Sequence, residues 1–211
     1  MDKATRGWLE GPRIIAAVIL GLALMTTLGT STAGVGREGA LWLTVATTRT
    51  SLLLFLLTFS ASAINGLLSG LRSGRPGKWL LRNRRFFGLS FTASHLLHAF
   101  AFLWLSSTRE QSLPEMIGLP AVIVLSSGYV VLAALSLTSF DAAVRLLGRS
   151  RWTILHRTGM YALFSIFLFS YLGRAARGDV LSALSLVALL AALGLRIANR
   201  LRLRRARAAR R

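Results

Sequence analysis

Six apolar segments, each about as long as a lipid bilayer is thick, constrain the fold of this chain more than any other feature. A helix needs roughly 20 apolar residues to cross the hydrocarbon core of a bilayer. The segments comprise residues 14–30, 41–68 or 50–68, 86–106, 116–137, 152–172 and 180–197. Gly, Ser and Thr recur inside them, as is usual where membrane helices pack closely. The sequence therefore predicts an all-α integral membrane bundle of six transmembrane helices.

The composition narrows the chemistry that such a bundle can carry. Of the 211 residues, 54% are apolar, and the mean hydropathy of +0.58 is typical of a polytopic membrane protein. The chain has no cysteine, so disulfides, iron–sulfur clusters, thiolate haem ligands and cysteine nucleophiles are excluded. With only seven acidic residues, neither a catalytic carboxylate pair nor a carboxylate metal cage is indicated. Histidine is therefore the main soft ligand in the chain.

The basic residues lie in every second connection between the spans. Residues 72–85, 145–151 and 196–211 are rich in Arg, whereas the alternate connections hold few basic residues. Because positively charged loops stay on the cytoplasmic side, we expect both termini in the cytoplasm and a multi-pass protein in a bacterial-type inner (plasma) membrane. Residues 198–211 then form an Arg-rich cytoplasmic tail. Topology and attraction to anionic lipid explain the net charge of +19, and we expect no nucleic-acid partner.

The first apolar segment also has features of a secretory signal peptide. Lys3, Arg6 and Arg13 precede it, and the small residues 31–34 follow it. We favour a retained first helix, because its removal would leave an odd number of spans.

Three histidines, His95, His98 and His156, are the only ones in the chain, and all three lie in apolar segments. Ionisable residues in membrane helices are costly and usually face the bundle interior, so they are functional candidates. His95 and His98 are three residues apart and share one helix face. Inward-facing imidazoles on two membrane helices can hold a haem iron from both sides. The alternative role is a hydrogen bond between helices.

Depth in the membrane complicates a shared haem. At about 1.5 Å per residue, His98 lies roughly 18 Å from the start of its span and His156 only about 6 Å from the start of its own. Both starts are on the cytoplasmic side. One iron needs both imidazole nitrogens within about 2 Å, so an offset of roughly 12 Å is hard to bridge. His95 reduces the offset to about 8 Å.

Several short motifs resemble those of the ferric-reductase-like transmembrane domain family, and most closely its YedZ/MsrQ-type haem-binding subunits. Residues 82–89, Arg-Asn-Arg-Arg-Phe-Phe-Gly-Leu, with His98 nine residues later, resemble the third helix of that family. Residues 152–157, Trp-Thr-Ile-Leu-His-Arg, followed by Tyr161, resemble its fifth helix. Residues 138–139, Thr-Ser, and 49–50, Arg-Thr, also fit. The similarity covers spans two to five, and we expect a single domain of this type over residues 1–211.

The resemblance implies b-type haem bound by histidines on helices three and five, with His98 and His156 as the corresponding ligands. A second histidine is expected on helix five, thirteen residues after the first, but Phe169 stands there and cannot bind iron. Three arrangements stay open. One haem b held by His156 with His95 or His98 is the first expectation. Two haems could each have one histidine, with propionates on Arg84 and Arg85, or haem could be absent. Arg49 could pair with a propionate or reach the outer headgroups.

The resemblance also implies a function. Such a subunit transfers electrons across the membrane from a quinol or a cytoplasmic flavoprotein to an acceptor outside. That acceptor could be an extracytoplasmic, periplasmic or exported, methionine sulfoxide reductase. No Gly-rich segment has the context of a nucleotide-binding loop, so the donor must be a separate molecule. Whether the chain is itself an enzyme stays open, and we expect an electron-transfer subunit of an oxidoreductase system. The alternative is a haem-free accessory or assembly protein that keeps only the fold.

Overall fold

A computed structural model describes residues 9–69 and 74–209, and the part it describes is built from helices without strands. The predicted all-α fold is therefore confirmed. The helices are α1 (Pro12–Ala33), α2 (Arg37–Leu68), α3 (Arg75–Thr108), α4 (Leu113–Ile117), α5 (Leu119–Leu137), α6 (Asp141–Leu147), α7 (Arg149–Ala175) and α8 (Val180–Ala208). Several residues used in the charge and signal-peptide arguments lie outside the described residues, namely Lys3, Arg6, Arg72, Arg210 and Arg211.

Five of these helices, α1, α2, α3, α5 and α8, are long and apolar enough to cross a membrane. The sixth predicted span is α7, which has 27 residues and lies at the expected place. Its apolar character is reduced by polar and charged side chains, among them His156, Arg157 and Arg174. Among the described residues, five helices therefore meet both criteria of length and apolar character, and α7, which carries His156, is the sixth predicted helix.

The two short helices α4 and α6 were not predicted from the sequence. Gly118 ends α4 at a φ of 82° and Gly148 ends α6 at a φ of 76°, in the left-handed region that glycine adopts without strain. Each glycine also immediately precedes the next long helix. The fourth span therefore begins at Leu119 rather than near residue 116.

The bundle is organised around α2. This helix packs against α1, α3 and α8, while α7 packs against α5 and α8. Its two fully buried phenylalanines, Phe55 and Phe59, lie in an aromatic core with Phe91 of α3 and Phe164 and Phe167 of α7. Phe55 lies 5.0 Å from Phe167 and Phe59 lies 5.1 Å from Phe164, measured between ring centroids. This aromatic core occupies the middle of the bundle.

Small polar side chains and glycines bring the helices close together. Ser51 of α2 and Ser94 of α3 are buried and hydrogen bonded at 2.9 Å. Thr92 of α3 is hydrogen bonded to Ser136 of α5 at 2.7 Å. Gly159 of α7 lies against Leu135 of α5 so closely that an added Cβ would come within 2.9 Å of it. These contacts fix the register in which the helices present the three histidines.

Candidate functional site

His98 is held by one turn of α2. Its Nδ1 lies 3.1 Å from the hydroxyl of Thr48, 3.2 Å from the hydroxyl of Thr47 and 3.2 Å from the backbone carbonyl of Thr44. Thr47 is fully buried and His98 is half-buried. The spacing of the three threonines places them on one face of α2, opposite the imidazole.

These contacts settle which nitrogen of His98 carries the proton. A carbonyl oxygen can only accept a hydrogen bond. The hydroxyls of Thr47 and Thr48 donate to the carbonyls of Leu43 and Thr44, at 2.6 Å and 2.7 Å, so they face His98 as acceptors too. Nδ1 must therefore be the N–H of the neutral ring. Nε2 is left with its lone pair free, which is the form in which an imidazole binds a metal.

His95 lies one turn before His98, in an aromatic environment. Its ring stacks on His98 at 5.3 Å and on Tyr129 of α5 at 5.1 Å, and it lies 5.7 Å from the ring of Phe167. The Tyr129 hydroxyl donates to the backbone carbonyl of His95 at 3.3 Å. Among the described residues, Nδ1 of His95 is buried and has no hydrogen-bond partner. Such a buried polar atom is costly unless water or a ligand completes it.

His156 belongs to a different neighbourhood, at the contact between α7 and the C-terminal end of α5. Its Nε2 lies 3.0 Å from the hydroxyl of Thr138, and its ring stacks on Trp152 at 4.2 Å. The Thr138 hydroxyl donates to the carbonyl of Ala134 at 2.6 Å, so it accepts a hydrogen bond from Nε2. Trp152 in turn donates to the backbone carbonyl of Thr138 at 2.7 Å. The nitrogen that usually binds haem iron is therefore already engaged.

The axial distance between the two neighbourhoods follows from the contacts that α5 makes with α3 and α7. We call the end of the bundle that holds residues 75–85, 145–151 and 196–209 the basic end. On α5, Thr138 contacts His156 and Ser136 contacts Thr92 of α3. Thr138 lies two residues, or about 3 Å along the axis, nearer the basic end than Ser136. His95 and His98 lie three and six residues beyond Thr92, which gives total offsets of about 7.5 Å and 12 Å. These offsets are close to those expected from the sequence.

A cavity of about 460 Å³ opens beside His156 at the basic end, and we call it the arginine cavity. Four arginines and one aspartate line it, namely Arg84, Arg85, Arg157, Arg196 and Asp141. Phe91 and Met160 contribute apolar wall. His95 and His98 lie outside this lining. The cavity therefore unites three of the predicted site residues, His156, Arg84 and Arg85, and separates them from the other two histidines.

The two predicted arginines are placed differently in this cavity. Arg84 is half-buried, and its Nε donates to the backbone carbonyl of Thr58 at 3.1 Å. Arg85 is exposed and forms an ion pair of 3.2 Å with Asp141, itself largely exposed. Surface ion pairs of this kind contribute little to stability. Arg84 is thus the charge that the fold directs inward.

Two further positions lie on the outside of the bundle. Arg49 is exposed on the surface of α2. Phe169, which occupies the place of the second expected histidine on helix five, is 69% exposed and faces away from the core. The structure thus gives α7 one inward-facing histidine.

Sequence reasoning did not identify several residues that shape these sites. Thr44, Thr47 and Thr48 follow one another at helical spacing, but their role depends on the register between α2 and α3, which no sequence pattern shows. No sequence pattern indicates that Tyr129 contacts His95. Arg196 belongs to a run of charges that topology alone explains, so nothing in the sequence marks it as facing the cavity.

The donor set suits iron in a macrocycle better than a bare ion. In residues 9–69 and 74–209, no three histidine or carboxylate side chains cluster as a metal site would require. A protein-bound ion commonly needs three or four protein ligands. A macrocycle supplies four nitrogens itself and needs only one or two imidazoles from the protein.

Three curated proteins are similar to this chain, and each bears the name protein-methionine-sulfoxide reductase heme-binding subunit MsrQ. The Azospira oryzae protein is 34% identical over 139 residues, which cover 64% of this chain and 59% of that protein. The Herminiimonas arsenicoxydans protein is 31% identical over 106 residues, which cover 49% of this chain and 48% of that protein. The Polaromonas naphthalenivorans protein is 29% identical over 126 residues, which cover 57% of this chain and 56% of that protein. The chain thus spans between about half and three fifths of these relatives. No protein-family model and no solved structure matches it.

Proposed function

Since the resemblance to the YedZ/MsrQ-type haem-binding membrane subunits is confirmed by these relatives, we propose that this chain binds b-type haem within the membrane and passes electrons across it. The observation that carries the proposal is His98, whose Nδ1–H is held by α2 so that Nε2 is free inside a membrane bundle. When bound, haem supplies the one-electron couple of its iron. The chain supplies the ligands, their orientation and a low-dielectric surrounding.

We propose two separate iron-binding neighbourhoods. Two imidazoles on one iron must bring their nitrogens within about 4 Å of each other, twice an ordinary metal–nitrogen distance. The axial offset of about 7.5–12 Å between His156 and the His95–His98 pair argues against a shared iron. His156 then serves the arginine cavity, where Arg84 and Arg85 would hold propionates, and His98 serves the other site with His95 beside it.

The two sites differ in what the chain must do before iron binds. At His98, the three acceptors of α2 fix the ring and leave Nε2 ready. At His156, ligation through Nε2 requires the hydrogen bond to Thr138 to be given up. Between the two sites, the aromatic core excludes water and keeps the dielectric constant low.

The direction and the partners of electron transfer belong to the same proposal. The basic end of the bundle faces the cytoplasm, in accordance with the distribution of positive charge. Electrons come from a quinol or a cytoplasmic flavoprotein and leave to an extracytoplasmic reductase of oxidised methionine. The name of the relatives, which joins a heme-binding subunit to a methionine sulfoxide reductase, supports this acceptor.

Visible spectroscopy tests the proposal directly. The purified protein, expressed with adequate haem, should show the α-band of b-type haem in a reduced-minus-oxidised spectrum. His98→Ala and His156→Ala should each remove part of the haem, and the double variant should remove nearly all of it. A protein without this band would be the haem-free accessory protein instead. Normal haem content in His156→Ala would exclude His156 as a ligand in the arginine cavity.

A further inference from the structure

Arg196 of α8 is folded into the bundle, although it begins the basic run at the end of the chain. Its Nη1 donates to the backbone carbonyl of Phe59 at 2.9 Å. Its guanidinium lies 4.2 Å from the ring centre of Phe59 and 5.0 Å from that of Tyr161. These contacts hold the charge at the wall of the arginine cavity rather than at the headgroups.

Arg84 of α3 lines the same cavity and is bound to the same turn of α2. It donates to the carbonyl of Thr58, the residue immediately before Phe59. Two guanidinium groups, one from α3 and one from α8, are therefore anchored on successive carbonyls of one helix. A guanidinium has five N–H donors, so both groups keep several for a ligand.

These two charges have no carboxylate partner in the part of the chain that the structure describes. The ion pairs there join Arg82 to Glu10 and Arg85 to Asp141. The charges of Arg84 and Arg196 repel each other, and like charges that are partly removed from water without a counter-ion are costly. An anion between them would remove that cost.

We propose that Arg84 and Arg196 together bind one oxyanion, a carboxylate or a phosphate, in the arginine cavity. Arginine is suited to this because its planar fork pairs with either group through two parallel hydrogen bonds. The oxyanion comes from a haem propionate or from the phosphate of an anionic lipid. The first source rests on the proposed function, whereas the second does not.

The matched comparison is between Arg196 and Arg200, one turn later on α8. Arg200 also lies over the ring of Tyr161, at 5.6 Å, but it is exposed and does not line the cavity. Arg196→Gln and Arg200→Gln therefore remove the same charge from the same helix, and only the first removes it from the cavity. Arg196→Met is a second variant, which keeps apolar contact with the two aromatic rings.

One arm uses haem-depleted protein in detergent, titrated with phosphatidylglycerol and, for comparison, phosphatidylcholine, with bound lipid counted by native mass spectrometry. The other arm measures hemin binding to the same proteins by absorbance. In at least one arm, both Arg196 variants should bind about tenfold more weakly or worse, which is the usual effect of losing a charge-assisted hydrogen bond. Arg200→Gln should bind as the wild type does.

Each outcome decides something. Weakening in the lipid arm assigns the oxyanion to a phosphate, and weakening in the hemin arm assigns it to a propionate. Equal affinity of Arg196→Gln, Arg196→Met and wild type in both arms would overturn the proposal, as would equal weakening by Arg200→Gln. If no preparation binds hemin, the proposed haem function fails, but the lipid arm still tests the oxyanion site.

Discussion

Two threonine hydroxyls and one backbone carbonyl hold the Nδ1–H of His98, and removal of the two hydroxyls is the sharpest test of the haem proposal. Thr47→Val and Thr48→Val keep the shape of the side chain but delete one acceptor each for the Nδ1–H. A neutral hydrogen bond contributes about 0.5–1.5 kcal/mol net. Because three acceptors share one N–H and the Thr44 carbonyl remains in every variant, we expect about 0.5 kcal/mol for each single variant and about 1 kcal/mol for the double variant.

These energies convert into hemin affinities. A loss of about 0.5 kcal/mol weakens binding about twofold, and a loss of about 1 kcal/mol weakens it about fivefold. This is less than the roughly tenfold or more that the supports of metal ligands usually contribute. The midpoint potential should rise at the same time, because an imidazole that donates a weaker hydrogen bond is a less basic ligand. Hemin titration and a redox titration in detergent measure both quantities.

Thr44→Val is the matched control. The hydroxyl of Thr44 donates to the carbonyl of Ala40 at 2.7 Å, and only its backbone carbonyl contacts His98. This variant should bind hemin as the wild type does. If Thr47→Val/Thr48→Val keeps the wild-type affinity while His98→Ala loses the binding at its site, the two hydroxyls do not support the ligand and the Thr44 carbonyl alone holds the ring. If both bind normally, His98 is not a ligand.

Three other predictions concern stability. Gly159→Ala should destabilise the protein by about 1–3 kcal/mol, because its Cβ would meet the buried side chain of Leu135. Asn83→Leu should cost about 1–3 kcal/mol, since Asn83 is 1% exposed and joins the start of α1 to α3 by hydrogen bonds. The Ser182 hydroxyl lowers the pKa of Asp179 below its ordinary 3.8. The stabilisation by Asp179 is therefore full above about pH 4 and is lost as the pH falls through the lowered pKa.

Thermal unfolding in detergent checks all three. Gly21→Ala on α1 is the control for Gly159, because nothing lies within 4 Å of the Cβ it would add. A melting temperature for Gly159→Ala equal to that of Gly21→Ala would show that Leu135 moves aside freely. For Asp179→Asn, the difference in melting temperature from the wild type should shrink between about pH 6 and about pH 3. A difference that does not change with pH would refute the charge argument.

The sequence predicts the spans well because length and apolar character decide them. It predicts their ends less well where glycine intervenes, as at Gly118, which separates a short helix from α5. The hydrogen-bond partners of the side chains could not be predicted from the sequence for a different reason. The contact of His98 with Thr47 and Thr48 depends on how α2 and α3 are rotated and shifted, and small residues such as Ser51 and Ser94 set that register by packing.

The sequence does not predict which arginines of the basic runs face the interior of the bundle. Arg84, Arg85 and Arg196 all belong to basic runs that topology explains equally well. The structure separates them, since Arg85 is exposed with Asp141 while the other two turn inward to carbonyls of α2. Electrostatic patterns in a sequence report on which side of a membrane a loop lies. They do not show which guanidinium donates a hydrogen bond to the backbone of a neighbouring helix.

A threonine hydroxyl accepts a hydrogen bond from each of the two candidate ligands, His98 and His156, but from different ring nitrogens. At both His98 and His156, a threonine gives its proton to its own helix and faces the ring as an acceptor, but it engages Nδ1 in the first case and Nε2 in the second. Ligation at His156 thus costs a hydrogen bond, about 0.5–1.5 kcal/mol or about twofold to tenfold in affinity. We expect hemin to bind His156→Ala, which keeps only the His98 site, more tightly than His98→Ala by that factor. Tighter binding by His98→Ala would show that the hydrogen bond to Thr138 does not govern access to His156.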